Sequence, residues 1–452
     1  MKLTDLNRFG GIGANGHLVE IGGVRILIDC GIHPKKSGRE AAPDHSLLLQ
    51  RPPDAVIVTH CHLDHLGTLP LVSRMFPKVP VLMSLPSTLL TERLLRNSVN
   101  VMKREREEKN ITDYPLYSMA DVDAVLPRLV PMLFGQPRKI PGPVDDIEVT
   151  FFPAGHVPGA AGVQLVHKHR AIFFTGDVQF DPQRLVGGAQ FPAKHFDTLV
   201  METTRGATER PTGHDRASEI VRLIAMVNHV LDRGGSVLIP VFALGRMQEI
   251  FLLLHEARRT GRLRPAPVFA AGLGMDLGNF MDEISRKTGL ANFSRTIVKE
   301  LAVKPPPRKI IAGREPKEQG IYVLSSGMMV ENTPSYSFAS CLLGQPHSAI
   351  LFVGYCDPET PGGRLLATRH GDTFVFDALH FQTPVRATIE RFELTGHADR
   401  NELLEFALQT TARAIVLTHG DPPARAWFSE TLAELAPKTT VLDPAPLQTY
   451  EV

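Results

Sequence analysis

Seven short apolar runs in this chain each lead to a polar residue, in most cases one that can titrate or hold a metal. "RILIDCG" carries Asp29, "AVIVTH" ends at His60, "VTFFPAGH" at His156 and "AIFFTGD" at Asp177. "TLVMETT" carries Glu202, "RFELTGH" reaches His397 and "AIVLTHG" carries His419. The runs are β-branched and aromatic, and Gly or Pro closes them, which is the pattern of buried strands. Helical patterns follow several of them. "DRNELLEFALQ" spaces Leu403, Leu404 and Ala407 for one helix face, with Asp399 as N-cap. Strands alternating with helices predict an α/β fold. In open α/β sheets ligands collect beyond the carboxyl ends of the strands, so seven polar strand ends are expected to converge on one site.

The chain has 452 residues, too many for one ordinary domain and enough for two. The middle has its own α/β rhythm. "ASEIVRLIAMVNHVLDRGG" reads as a helix, "SVLIPV" as a strand, and a second helix is expected from about Gly245 to Arg259. "VKPPPRK" (303–309) is a connector that cannot be helical. "GIYVLSSGMM" and "SAILFVGYC" add two strands. The polar strand ends resume only at His397, so the domain that carries them is expected to be built from both ends of the chain. The expected boundaries are 1–206 and 383–452 for that domain and 207–382 for the insertion. "MKREREEKN" (102–110) is read as the solvated end of a helix starting near Ser87, with RNA contact as the lesser alternative.

Composition excludes several classes of function. Net charge is +1, so a polyanion must be held by a local basic surface rather than by the overall field. The four cysteines, at 30, 61, 341 and 356, have no CxxC spacing. That argues against a disulfide framework or a thiolate zinc finger and fits a reducing cytoplasm. No signal peptide opens the chain, and no apolar run approaches the roughly 20 residues that span a bilayer. A soluble cytoplasmic protein with no membrane partner is expected.

The densest chemistry is "THCHLDHLG" (59–67). His60 and His62, two apart at a strand end, point the same way and can reach one ion. Asp64 and His65 lie just beyond, where a helix begins, and can turn toward a second ion. Imidazole and carboxylate without thiolate suit zinc, with manganese and iron as alternatives. His156 in "GHVPGAAG", Asp177 in "TGDV" and His419 in "LTHGD" are the natural completions of the ligand set. Asp177 is the candidate to bridge two ions. Asp29 is expected outside the ligand set, holding a ligand histidine or backbone amides.

"THCHLDHLG", "GHVPGAAG" and "TGD" resemble the metal-binding motifs of the metallo-β-lactamase superfamily. "METTRG", "IPVFALGRMQEIFLLL", "LSSGMM", "FVGYC", "LTGHAD" and "VLTHGD" resemble its β-CASP branch. That branch includes the cleavage and polyadenylation endonuclease subunit and RNase J. The resemblance covers nearly the whole chain. It implies a metallo-β-lactamase αββα sandwich with an inserted β-CASP α/β domain that forms a lid. It also implies a zinc-dependent ribonuclease acting on single-stranded RNA through a two-metal-activated hydroxide. One zinc ion would be held by His60, His62, His156 and Asp177, the other by Asp64, His65, Asp177 and His419. Asp64, Glu202 and His397 would be catalytic, with His397 at the scissile phosphate and Glu202 holding it in place. His419 on the last strand matches the RNA-processing members rather than those that act on DNA.

The chain stops soon after His419 and shows no KH domain at its start, so the additional domains of many relatives are not expected, and a homo-oligomer stays open. "SSGMM" is either a glycine turn that approaches nucleic-acid backbone or a turn serving the fold alone. Arg246 is either a domain-interface ion pair or a phosphate contact. A small-molecule hydrolase of the same superfamily, of thioesterase or lactamase type, is the alternative to the ribonuclease. A silent scaffold subunit is disfavoured, because no ligand is missing.

Overall fold

The computed structural model describes residues 1–452, and the chain divides into two compact units. One comprises Met1–Pro182, Gly188–Glu209 and His397–Val452; the other comprises Gln183–Gly187 and Arg210–Gly396.

The first unit contains two seven-stranded sheets. One runs Thr449–Glu451, Lys2–Asp5, His17–Ile21, Val24–Ile28, Ala55–Val58, Val81–Ser84, Leu129–Met132. The other runs Thr440–Leu442, Ala414–Thr418, Thr198–Glu202, Arg170–Phe174, Ala161–His167, Ile147–Pro153, Arg138–Ile140. Period-two alternation explains why they stack. Ile172, Phe174, Val200 and Val416 point inward and share one core with Ile26, Ile28 and Ile57 of the facing sheet. Their neighbours Phe173, Leu199, Met201, Ile415 and Leu417 point outward and pack with Leu403, Phe406, Phe428 and Leu432. Those four belong to helices Arg400–Thr410 and Pro422–Leu435. Helix Leu85–Lys109 packs beside strands Val81–Ser84 and Leu129–Met132 of the first sheet. The layers are therefore helix, sheet, sheet, helix. Helix Leu85–Lys109 also takes up the charge run at 102–109, and Asn110 stops it in a left-handed conformation, φ 54°.

Within each sheet the central strands pair in parallel. Val24–Ile28, Ala55–Val58 and Val81–Ser84 form one such set. Arg170–Phe174, Thr198–Glu202 and Ala414–Thr418 form the other. Parallel pairing sends their carboxyl ends the same way, which places Asp29, His60, Asp177, Glu202 and His419 along one edge of the sandwich.

The second unit is built on a parallel sheet in the order Val268–Phe269, Ile321–Leu324, Val237–Pro240, Ala349–Phe352, Thr388–Arg391. Tyr322 stacks on Phe269 with centroids 4.4 Å apart and shares a core with Leu238, Phe338, Ile350 and Phe352. The expected helices form as Arg216–Asp232 and Arg246–Arg259, and residues 303–309 form none. No helix of the chain is long and apolar enough to cross a membrane.

Two expectations need correction. "RFELTGH" is not a strand that ends at His397. The strand lies earlier, at Thr388–Arg391, and pairs with Ala349–Phe352 in the second unit's sheet. The amide of Phe392 continues that ladder, donating to Phe352 at 2.8 Å. The second unit therefore runs to Gly396, past the expected boundary at 382. Arg246 is neither an ion pair between domains nor an exposed phosphate contact. It is buried in the second unit, where it donates to the Leu394 carbonyl at 2.7 Å and to Gln183. Burial, helped by neighbouring Arg216, lowers its pKa to about 10. In "SSGMM", a Cβ on Gly327 would lie 2.8 Å from the Phe242 ring and 3.0 Å from its amide, so the glycine serves close packing.

Phe151 is fully buried between the two sheets of the first unit, while Phe152 is half-buried on the opposite face. Phe151→Ala is expected to destabilise that unit by about 3–5 kcal/mol, and Phe152→Ala by clearly less. Urea unfolding followed by circular dichroism checks the order; equal losses would contradict the sandwich core.

Candidate metal centre

The strand Ala55–Val58 is buried along its length, and Asp29 determines how it ends. The Asp29 amide donates to Ile57 at 2.8 Å. Its carboxylate accepts from the Thr59 amide at 2.7 Å and the Thr59 hydroxyl at 2.8 Å. The same carboxylate lies 2.7 Å from His65 Nδ1. Asp29 thus orients His65 from behind and turns its Nε2 forward. His62 caps a single helical turn, Leu63–Leu66, that carries Asp64 and His65. That turn presses on Gly31 so closely that a Cβ there would lie 1.6 Å from the Asp64 carbonyl, so no other residue fits.

Two groups of ligand atoms result. In the first, His62 Nδ1 lies 3.1 Å from His60 Nε2 and 3.0 Å from His156 Nε2. Asp177 Oδ2 lies 3.6 Å from His60 Nε2 and 3.7 Å from His156 Nε2. In the second, Asp64 Oδ2 lies 3.2 Å from His419 Nε2 and 3.7 Å from His65 Nε2. Asp177 Oδ1 lies 3.3 Å from His65 Nε2 and 3.4 Å from His419 Nδ1. Four ligands placed tetrahedrally about 2.0–2.1 Å from a zinc ion stand about 3.4 Å from one another, a spacing the first group has; in the second, Asp64, His65 and His419 gather three ligand atoms, and Asp177 Oδ1 approaches from the side of His419 Nδ1.

The donor chemistry fits a cation as well. Asp177 Oδ1 is buried and has no hydrogen-bond partner, a costly state for a carboxylate oxygen unless a cation satisfies it. Burial opposes ionisation of Asp177, but His419, His65 and His60 outweigh it and hold the carboxyl well below the usual range. Burial, with His65 beside it, keeps His60 well below the ordinary imidazole value, so it stays neutral with a lone pair to offer. Around His65 burial is outweighed by Asp177, Asp29 and Asp64, which favour positive charge at that point. The residues present could therefore hold two metal ions, with one oxygen of Asp177 turned to each.

Beside these groups stand Glu202 and His397. The Glu202 oxygens lie 3.1 and 3.0 Å from His397 Nδ1. One also accepts from the Val178 amide at 2.6 Å, the other from the Thr204 hydroxyl at 2.5 Å. A carboxylate so engaged holds His397 rather than an ion. It leaves His397 Nε2 facing Asp177 Oδ2 at 4.0 Å. Thr204 also lies 2.9 Å from His419 Nδ1, so one hydroxyl ties Glu202 to the last candidate ligand. Both Asp29 and His419 hold left-handed backbone, φ 61° and 48°, which for residues other than glycine is uncommon and collects at functional sites.

All the residues singled out in the sequence are brought together: His60, His62, Asp64, His65, His156, Asp177 and His419 in two groups, with Glu202 and His397 at their side. His397 arrives on a loop rather than a strand end. Asn15 and Thr204 were not anticipated. Asn15 Nδ2 lies 3.0 Å from both the Asp64 carbonyl and His65 Nε2. Its only sequence signal is its place in the glycine-rich "GGIGANG", and Thr204 stood unremarked inside "METTRG".

Three family models match the chain in order. The metallo-β-lactamase superfamily matches residues 10–228, the Beta-Casp domain 247–365, and the Zn-dependent metallo-hydrolase RNA specificity domain 382–442. Transcription termination factor FttA of Methanocaldococcus jannaschii is 30% identical, covering 95% of this chain and 68% of its own. Integrator complex subunit 11 of Danio rerio is 26% identical over 96% and 71%. A probable RNase of M. jannaschii, MJ4, is 27% identical over 88% of each chain. The crystal structure of an Enterococcus faecalis protein of unknown function shares the fold at 14% identity, with a TM-score of 0.55 over 99% of both chains. With three parts of one architecture matched in sequence order and this chain aligned nearly end to end with its relatives, the chain belongs to the β-CASP branch of the metallo-β-lactamase superfamily.

Proposed function

We propose that this protein hydrolyses phosphodiester bonds of single-stranded RNA with two zinc ions. His60, His62, His156 and Asp177 would hold one ion, and Asp64, His65, His419 and Asp177 the other. The observation that carries this reading is Asp177, whose two oxygens face separate groups of imidazoles at 3.3–3.7 Å. Bound there, the ions would lower the pKa of water to near neutrality and polarise a phosphate oxygen.

The chain's own residues supply the rest. Asp29 and Thr204 turn His65 and His419 so that ring nitrogens face the site. Glu202 accepts a hydrogen bond from His397 Nδ1–H, which leaves Nε2 to carry a proton to the departing oxygen. Such a proton donor outside the ligand set suits the expulsion of a ribose oxygen. The match to an RNA specificity domain over 382–442, which includes His397 and His419, supports RNA as the substrate. So does the relative named as a probable RNase. The four cysteines, buried and free, are consistent with a cytoplasmic location.

Elemental analysis of the purified protein is expected to find about two zinc ions per chain. Asp177→Ala should lower the occupancy of both sites, and Asp29→Ala should lower it less. Protein that carries no metal and gains no activity when zinc is added would rule the reading out.

His397→Ala is expected to keep its metal and its RNA affinity while losing cleavage by a factor on the order of 10²–10⁴. Normal turnover in that variant would remove His397 from the chemistry, and loss of zinc would make it a ligand instead.

The substrate class is tested with matched single-stranded oligonucleotides, one ribo and one deoxy. Faster cleavage of the ribo strand is expected, through contacts to the 2′-hydroxyl. Equal or faster cleavage of the deoxy strand would overturn the assignment to RNA.

A further inference from the structure

The loop that precedes Asn15 is built for a ligand that nothing above assigns. Phe9 is 46% exposed. Lys36 Nζ stands over its ring, 4.4 Å from the centroid, and His33 meets it edge-on at 5.8 Å. After Phe9 come five residues, 10–14, four of which have positive φ: 65° and 76° at Gly10 and Gly11, 108° at Gly13 and 47° at Ala14. No backbone amide from residue 10 to residue 14 donates a hydrogen bond to any acceptor in the protein. Gly10, Gly13 and Ala14 are nevertheless buried. Buried amides are almost always paired, and a run of unpaired amides on backbone of this kind forms an anion-binding concavity.

The loop is fastened to the metal-binding motif. The Asn15 amide donates to the Asp64 carbonyl at 2.9 Å, and the Ile32 amide to the Leu63 carbonyl at 2.8 Å. Gly13 packs so tightly on Pro34 that a Cβ there would lie 2.4 Å from the proline ring. Residues 9–15 and 31–36 are therefore one structure. Gly10 stands five positions before Asn15, which limits its distance from the Asp64 carbonyl to roughly 20 Å, a span of a few nucleotides. Charge around the loop is mixed. Arg8 is paired with Asp44 at 3.2 Å, Asp421 approaches Gly11, and Arg425, which is paired with Asp443, approaches Gly10. The amine of Lys36 stands over the Phe9 ring.

An exposed aromatic ring, a lysine beside it and an unpaired run of amides match the repeating unit of a single nucleic-acid strand, which is a base and a phosphate. We propose that residues 9–14 form a subsite for the RNA strand beside the scissile phosphate. One base stacks on Phe9, one backbone phosphate sits on the amides of residues 10–14, and Lys36 offsets its charge. This rests on the ribonuclease reading above.

The test is steady-state cleavage of an end-labelled single-stranded oligoribonucleotide by the full-length, metal-loaded protein. Affinity is measured in parallel in a His397→Ala background. Phe9→Ala is expected to raise KM about 5- to 100-fold, with the loss on KM rather than kcat, and to weaken affinity by the same factor. Phe9→Trp should restore both. Lys36→Ala should make the logarithmic salt dependence of affinity shallower by about 0.7, the share of one phosphate contact on a single strand. Unchanged KM and affinity in Phe9→Ala would overturn the subsite while leaving the ribonuclease intact. So would a loss that Phe9→Trp fails to restore, because Phe9 would then only support the loop. If the unsubstituted protein neither binds nor cuts the strand, the ribonuclease reading falls and the subsite falls with it.

Discussion

The site depends on how one carboxylate is shared. Asp177 stands at the end of a parallel strand with one oxygen toward His60 and His156 and the other toward His65 and His419. Its position follows from the sheet. The strand before it pairs with Thr198–Glu202 on one side and Ala161–His167 on the other, and its outward residue Phe173 and inward residue Phe174 anchor it in two separate cores. A buried carboxylate is stable as an anion only among positive partners. Here those partners are His65 and His419, in which nearby carboxylates outweigh burial and favour positive charge.

A second layer of residues makes those histidines useful. Imidazole binds a metal through one nitrogen, and the other nitrogen must be engaged elsewhere so that the ring cannot turn. Asp29 engages His65 and Thr204 engages His419, and Glu202 engages in the same way His397, which stands outside the candidate ligands. Asp29 serves two purposes at once, since it also binds both the amide and the hydroxyl of Thr59 and so determines where the strand before His60 stops. The orientation of the ligands and the end of the strand are therefore one constraint.

The second unit handles buried charge in another way. Glu249 is fully buried and accepts from Arg216 at 3.0 Å and from the amides of Arg184 and Leu185 at 3.1 and 2.7 Å. Arg246 reaches the Leu394 carbonyl. These contacts gather residues 183–187 and 394–395 onto helices Arg216–Asp232 and Arg246–Arg259. Partnered so completely, the arginine serves the architecture and has little left to offer a phosphate.

Much of this was legible in the sequence because the two strongest patterns are local. Apolar runs of period two mark strands, and a histidine or aspartate directly after one marks a site. That singled out His60, His62, Asp64, His65, His156, Asp177, Glu202 and His419 and predicted an α/β fold with an insertion, while the helix–sheet–sheet–helix sandwich came from the family resemblance. His397 lies beside these residues, as expected, but on a different element. "RFEL" reads as a strand running to the histidine, whereas the strand ends at Arg391 in the other unit's sheet. Strand pairing is a long-range choice that a local pattern does not encode. The same limit hid Thr204, whose hydroxyl matters only because a residue more than two hundred positions away folds against it, and the loop at 10–14, whose unpaired amides are a property of backbone conformation. The sequence by itself determined which residues could hold metal and which strands would deliver them. Only the tertiary structure decided which oxygen of Asp177 faces which histidines and which backbone amides are left without a partner, because those depend on distances between segments far apart in the chain.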